Sequence, residues 1–391
     1  MLNTPFSPWP SFTQEEADAV SRVLLSNKVN YWTGQECREF EKEFAAWADS
    51  EYAVAVSNGT LALDLALKAL QMGEGDEVIV TPRTFLASVS SVVTAGATPV
   101  FADVDLNSQN IEASTIEAAI TPKTKAVIVV HLAGMPADMD PIMALAEKHG
   151  FYVIEDCAQA HGAKYKGRSV GSIGHIGAWS FCQDKIMTTG GEGGMVTTND
   201  KALWSAMWSY KDHGKSFDAI YNKQHPPGFR WLHESFGTNW RMTEIQAVIG
   251  RIQLTRMNEW TAIRQAYAKK IDAAVSGLSI VRRVDVPDGF EHAEYKHYLF
   301  VQPEYLKEGW SRDRIVDEIV QQGVPAFQGS CSEVYNEKAF DGTGFRPEAA
   351  LANAKQLGET SLMFLVHPTL TENEMELTVS VIHSVLQQAQ A

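Results

Sequence analysis

Between residues 52 and 155 short, β-branched apolar runs alternate with segments of helical composition. The runs cover 52–56, 77–80, 98–102, 126–130 and 151–155, and segments such as 60–72, 85–95 and 139–149 lie between them. Strands that alternate with helices predict a mainly parallel sheet covered on both faces. The runs 177–181 and 194–198 extend this sheet, the second as an antiparallel neighbour. Ahead of it, 13–26 has helical periodicity opened by the capping pattern Thr13-Gln14-Glu15-Glu16, and 40–47 is also helical. Beyond residue 255 the character changes to a long helix over 256–276, a strand at 298–302, a helix over 311–322 and a closing helix over 371–388. The predicted organisation is an N-terminal arm and helix (1–30), a large domain (31–255) and a smaller C-terminal α/β domain (256–391). Residues 213–238, rich in His, Pro, Gly and aromatics, read as a long loop, of a length that is uncommon unless functional or packed on a partner chain.

A chain of 391 residues with 45% hydrophobic positions can bury sizeable cores. Its net charge of −15 argues against nucleic acid as a partner, because phosphate binding needs a basic field. The four cysteines, Cys37, Cys157, Cys182 and Cys331, are widely spaced without a Cys-x-x-Cys, so neither a zinc site nor a disulfide framework is expected, and a reducing cytoplasm fits. The N-terminus lacks a basic segment followed by an apolar one, and no apolar run is long enough for a bilayer, so neither secretion nor membrane insertion is expected.

Chemistry concentrates around Lys185, which lies 29 residues after Asp156 and just before the glycines at 190, 191, 193 and 194. A lone lysine is ordinarily a solvated surface charge, but neither flank here carries the alternating charges that surround one. An acid ending a buried strand, followed by a lysine before a glycine-rich turn, is what a pyridoxal phosphate enzyme needs. The amine holds the cofactor's aldehyde, and the carboxylate keeps the pyridine nitrogen protonated. The cofactor's phosphate needs a seat. Ser57-Asn58-Gly59-Thr60 follows the first strand and opens a helix, so it reads either as an anion site or as an ordinary helix cap. Ser180, five residues before Lys185, is a second candidate phosphate ligand.

Several motifs in order across residues 50–255 carry a specific resemblance. They include Ser57-Asn58-Gly59-Thr60, Pro82-Arg83-Thr84-Phe85, residues 155–162 (Glu-Asp-Cys-Ala-Gln-Ala-His-Gly), residues 180–185 (Ser-Phe-Cys-Gln-Asp-Lys) and residues 237–246 (Gly-Thr-Asn-Trp-Arg-Met-Thr-Glu-Ile-Gln). On these the chain resembles the DegT/DnrJ/EryC1/StrS family of sugar aminotransferases. The resemblance implies an aspartate aminotransferase-like fold of type I, with a mainly parallel seven-stranded sheet in the large domain. It also implies roles. Lys185 would hold pyridoxal phosphate and shuttle protons, Asp156 would pair with the pyridinium nitrogen, and Gln159 would bond the phenolic oxygen side. Phe85 would stack on the ring, Gly59, Thr60 and Ser180 would hold the phosphate, and Asn239 of a neighbouring subunit would complete the phosphate site of a homodimer. His161 reads equally as a residue of the substrate side and as a packed strand-end histidine.

Relatives that replace the lysine with histidine act as dehydratases, so Lys185 favours transamination. The implied cycle takes an amino group from glutamate and gives it to a keto or aldehyde sugar. A lyase or dehydratase on the same fold, or a regulator that keeps the cofactor without turnover, are the other readings. Residues 182–189 look closest to the branch that aminates 8-oxo-Kdo to 8-amino-3,8-dideoxy-manno-octulosonate for lipopolysaccharide; a nucleotide-linked 3- or 4-keto-6-deoxyhexose is the alternative acceptor. A carboxylate-bearing sugar needs a cation at the site, for which Arg83, Arg230 and Lys215 are candidates.

Overall fold

The alternation over residues 52–198 builds one seven-stranded sheet in a computed structural model that describes residues 6–391. Two helices precede it, α1 (Gln14–Leu25) and α2 (Glu36–Trp47). Its strands are β1 (Tyr52–Val56), β2 (Glu77–Val80), β3 (Thr98–Phe101), β4 (Thr124–Val130), β5 (Tyr152–Asp156), β8 (Ile176–Ser180) and β9 (Gly194–Thr198), with a short hairpin, β6 (Lys164–Tyr165) and β7 (Arg168–Ser169), between the fifth and sixth. The spatial order is β1-β9-β8-β5-β4-β2-β3, and only β9 runs against its neighbours, as its run in the sequence predicts. The connecting helices are α3 (Gly59–Ala69), α4 (Ala87–Thr94), α5 (Ala113–Ala119), α6 (Met139–His149) and, after β9, α7 (Lys201–Tyr210).

The strands read as continuous apolar runs because both faces are covered. Val78 and Val80 of β2 enter one buried cluster, whereas Ile79 between them enters another on the opposite face. Phe40 and Phe44 of α2 pack against Phe181 with ring centroids 5.5 and 5.4 Å away, beneath the end of β8. The capping pattern at α1 forms as expected, with the Thr13 N–H donating to Glu16 at 2.7 Å. Glu16 also pairs with Arg256 at 2.9 Å, which ties α1 to a residue 240 positions further along the chain.

The segment 213–238 departs from the reading as one loop. It contains α8 (Phe217–Tyr221), capped by the Ser216 hydroxyl, and Phe217 rests on Trp204 and Trp208 of α7. One turn of helix held by such tertiary contacts has no periodicity of its own to read. After it come α9 (Glu244–Leu254) and α10 (Met257–Ala274).

The C-terminal part holds a second core around a four-stranded antiparallel sheet. It uses β10 (Val281–Arg283), β12 (His297–Val301), β13 (Ala326–Phe327) and β14 (Ser361–Phe364) in the order β10-β12-β14-β13, while β11 (Phe290–Glu291) pairs with β6 of the hairpin. Helices α11 (Arg312–Gln321), α12 (Ala352–Thr360) and α13 (Glu372–Ala389) complete it, and Ile271, Leu299, Ile319, Phe364 and Ile382 meet in its interior. Three of these elements, β10, β13 and β14, and the helix α12 escape the sequence reading. The strands are two to four residues long and too short for a period to emerge. The two sheets are joined where the Ala293 and Tyr295 N–H groups donate to the Gly134 and Ala133 carbonyls at 2.9 and 2.8 Å. Among the described residues no helix is long and apolar enough to cross a membrane, and all four cysteines are unpaired.

Candidate active site

Glu155 and Asp156 end β5, and adjacent strand residues point to opposite faces. Glu155 is fully engaged. Its carboxylate faces His131 Nε2 at 2.9 Å and accepts the N–H groups of Gly171, Ile173 and Gly174 at 2.8, 2.9 and 2.6 Å. Burial alone would raise its pKa, but His131 and these donors bring it below the ordinary carboxylate range. Because His131 Nδ1 accepts the Ala137 N–H, the ring is neutral with its proton on Nε2, shared with Glu155.

Asp156 has fewer donors. Ser88 Oγ donates to Oδ2 at 2.8 Å and the Ala158 N–H to Oδ1 at 3.1 Å. Since the Ser88 proton is committed to the carboxylate, Thr84 is the donor in its 2.8 Å contact with Ser88. Burial pushes the Asp156 pKa up, and Ser88, Ala158 and the charge of Lys185 counter it only in part. This is a buried carboxylate that lacks a close cation.

Lys185 lines a cavity of about 940 Å³ together with Phe85, Gln159 and Tyr295. Its Nζ lies 5.3 Å from the centre of the Tyr295 ring, and the Tyr295 hydroxyl donates to Asp184. Its carbonyl accepts the Trp9 indole N–H at 2.8 Å, which fixes the backbone at this turn. Phe85 is 72% exposed although it lies at the cavity wall, an apolar ring with a free face. Gln159 accepts the Ala133 N–H at 2.8 Å through its carbonyl oxygen, leaving its amide nitrogen for the cavity.

The phosphate candidates meet at the start of α3. Asn58 caps the helix by accepting the Leu61 N–H at 3.0 Å. Gly59 presses against Ser180, so that a Cβ there would collide with the Ser180 side chain, and a Cβ at Gly194 would strike the Asn58 carbonyl. Glycine at 59 therefore brings a helix N-terminus and a hydroxyl together, while Thr60 beside it stays exposed. Asn239 is exposed and pairs with Asp212 through a backbone bridge. The arrangement fits pyridoxal phosphate on three counts: a buried carboxylate without an ion-pair partner among the described residues, an amine on the cavity wall whose charge acts on it, and an anion cradle that a larger residue at 59 would fill.

Other candidates separate from the cavity. His161 is fully buried against Trp179 and Phe181, with ring centroids 5.3 and 5.7 Å away, and among the described residues neither ring nitrogen has a partner. Burial holds its pKa down at about 3, so it is the packed, neutral histidine of the two readings. Arg83 is internal, donating to Gln109, Ser332 and Ser361, and is unavailable as a substrate cation. Lys215 is spent on Asp212 at 3.1 Å, and neither it nor Arg230 lines the cavity.

The structure adds residues that sequence reasoning missed. Trp9 reaches the cavity from the N-terminal arm, which is tied down by the Ser7 N–H donating to Glu374 at 2.6 Å. Tyr295, Lys296 and His367 line it from the C-terminal part. The only sequence signal for them was the cluster Tyr295-Lys296-His297 at the head of a strand.

Residues 10–385 match the pattern that defines the DegT/DnrJ/EryC1/StrS aminotransferase family. An aminotransferase from Psychrobacter cryohalolentis superposes with a TM-score of 0.97 at 67% identity, over 98% of this chain and 100% of that one. A provisional sugar aminotransferase of Streptococcus pneumoniae, solved in a PLP form, superposes with a TM-score of 0.86 at 26% identity over 100% of both chains. GDP-perosamine synthase of Caulobacter vibrioides is 38% identical over 385 residues, 96% of this chain and 97% of its own. The chain belongs to the DegT/DnrJ/EryC1/StrS family and is a pyridoxal phosphate-dependent sugar aminotransferase of fold type I.

Proposed function

We propose that the enzyme moves the amino group of L-glutamate to 8-oxo-Kdo, giving 8-amino-3,8-dideoxy-manno-octulosonate for lipopolysaccharide synthesis. The observation that carries the transamination is Lys185 on the cavity wall with its charge acting on the buried Asp156 at the end of β5. When bound, pyridoxal phosphate supplies an aldehyde carbon that takes amines covalently and a ring that accepts the electron pair of a breaking C–H bond. Lys185 would hold that aldehyde through Nζ and would carry the proton on and off the reacting carbon. Asp156 would keep the pyridine nitrogen protonated. Gln159 would bond the phenolic side, Phe85 would cover a ring face, and Gly59, Thr60 and Ser180 would receive the phosphate.

The choice of acceptor is supported by residues 182–189 (Cys-Gln-Asp-Lys-Ile-Met-Thr-Thr), which look closest to the branch that aminates 8-oxo-Kdo. A second reading, a nucleotide-linked 3- or 4-keto-6-deoxyhexose, is favoured by the relative named for GDP-perosamine. Incubating the enzyme with glutamate and each sugar in turn, and measuring 2-oxoglutarate, separates them. The 8-oxo sugar is expected to give sustained turnover that Lys185→Ala abolishes; turnover confined to nucleotide-linked sugars would replace this acceptor with the second one.

The partner-shared site is supported by exposure. Phe229, Trp231 and Phe236 are 79%, 85% and 100% exposed on the segment leading to Asn239, an apolar surface of the kind that partner chains cover. We infer a homodimer in the cytoplasm in which Asn239 of one subunit completes the phosphate site of the other. Co-expressing Lys185→Ala with Asn239→Ala chains is then expected to restore part of the activity, because one site of each mixed dimer is intact. A fully active monomer would contradict this.

Asp156 yields a further prediction with a defined sign. Its folded pKa is raised, so ionisation costs stability that is present at low pH and lost as pH rises through the folded value. Asp156→Asn should therefore melt higher than the wild type at pH 7.5 when both are stripped of cofactor. With cofactor the same change should slow turnover by roughly 10²- to 10³-fold, as loss of one electrostatic stabiliser does. A lower melting temperature with near-normal turnover would assign the role to another acid.

A further inference from the structure

We propose that Lys296 is the seat for a substrate carboxylate, an inference that deepens the aminotransferase reading by naming the anionic group its cavity receives. Lys296 precedes β12 and lines the cavity together with Lys185, yet it is only 8% exposed. Among the described residues its ammonium has no hydrogen-bond partner and no carboxylate within ion-pair distance. Its nearest aromatic is Tyr295, with the ring centre 4.9 Å away.

The surroundings make this charge harder to hold. Arg264 of α10 is buried beside it, stacked on Trp9 at 5.0 Å, and among the described residues its Nε and Nη2 are without partners. Its Nη1 donates to the carbonyls of Glu294 and Tyr295, at 3.5 and 3.3 Å. The acids nearby are already engaged: Asp184 by the Tyr295 hydroxyl, Glu294 by His297 at 3.2 Å. Burial and the charge of Arg264, with a smaller push from Lys185, pull the Lys296 pKa down to about 8 against the opposing charge of Asp184, and burial pulls Arg264 to about 9 against Tyr295 and Glu294. Two buried cations with no carboxylate within ion-pair distance among the described residues make a region that an anion would relieve.

The anion is best matched by a carboxylate. The phosphate cradle at Gly59 and Ser180 is a separate feature that lies off the walls of this cavity. An amino donor such as glutamate carries two carboxylates, and a sugar acid carries one, so the same ammonium could serve either. A charge-assisted bond from Lys296 would orient the reacting carbon toward Lys185 without entering the chemistry.

The test uses the holoenzyme in separate half-reactions, followed by the cofactor's absorbance. Lys296→Met is expected to raise the half-saturating glutamate concentration at least ~30-fold, as removal of one partner of a buried charge pair does, with a limiting rate changed by less than about threefold. Lys296→Arg should recover most of the loss. If instead the glutamate constant holds and that for a carboxylate-bearing keto sugar rises, the seat serves the acceptor. Both constants unchanged would overturn the proposal. A wild-type enzyme inert toward glutamate and every keto sugar would defeat the functional reading but leave the seat testable on the unmodified protein. Glutarate should then slow acylation of Lys296 by acetic anhydride, mapped by peptide mass, and GDP should not. Equal labelling with and without glutarate, or protection by GDP alone, would overturn the seat.

Discussion

The site is organised by an electrostatic imbalance between neighbouring acids at the end of β5. Strand geometry sends Glu155 and Asp156 to opposite faces, and both are buried. Glu155 meets a full set of partners, His131 and three backbone N–H groups of the 171–174 turn, and serves to fix that turn under the sheet. Asp156 meets a hydroxyl and one N–H, which support a carboxylate without neutralising it. A buried charge left so is costly unless a cation arrives, and a protonated pyridine ring is such a cation. The protein thus carries at Asp156 a cost that cofactor binding offsets, and the Thr84–Ser88–Asp156 chain keeps the carboxylate aimed while it waits.

The same logic with the sign reversed appears in the cavity. Lys185 and Lys296 put positive charge on the cavity wall and Arg264 is buried behind it, while Asp184 and Glu294 bond Tyr295 and His297. The cavity is closed by parts far apart in sequence: Trp9 from the N-terminal arm, Phe85 from the start of α4, Lys296 from the strand head and His367 after β14. Burial and the neighbouring cations hold His367 near a pKa of 3, so it adds a neutral ring to the wall, against which Trp9 stacks at 5.9 Å. A polar residue set of this kind favours substrates that bring their own negative charge.

Much of this was legible in the sequence because the large sheet buries both faces, which leaves unbroken apolar runs at regular spacing. Asp156, Gly59 and Ser180 were singled out because they sit at strand and helix ends, and Lys185 because it precedes a glycine-rich turn, where residue type and order suggest the chemistry. The small sheet was read only through β12, since its other strands run two to four residues. Arg83 looked like a substrate cation because a sequence does not show acceptors; in the fold Gln109, Ser332 and Ser361 fill its donors. Lys296 had the opposite fate. It was singled out by no motif of the sequence, and only the fold around it reveals a buried charge without an ion-pair partner among the described residues.

The central claim is that Lys185 is the residue that takes the cofactor. Reducing the holoenzyme with borohydride fixes the cofactor on whichever lysine holds it, and digestion followed by peptide mass mapping reads the position. The account predicts the label on the peptide that contains Lys185 and on no other. A label on Lys296, the second lysine of the cavity, would contradict it and exchange the roles assigned to the two amines.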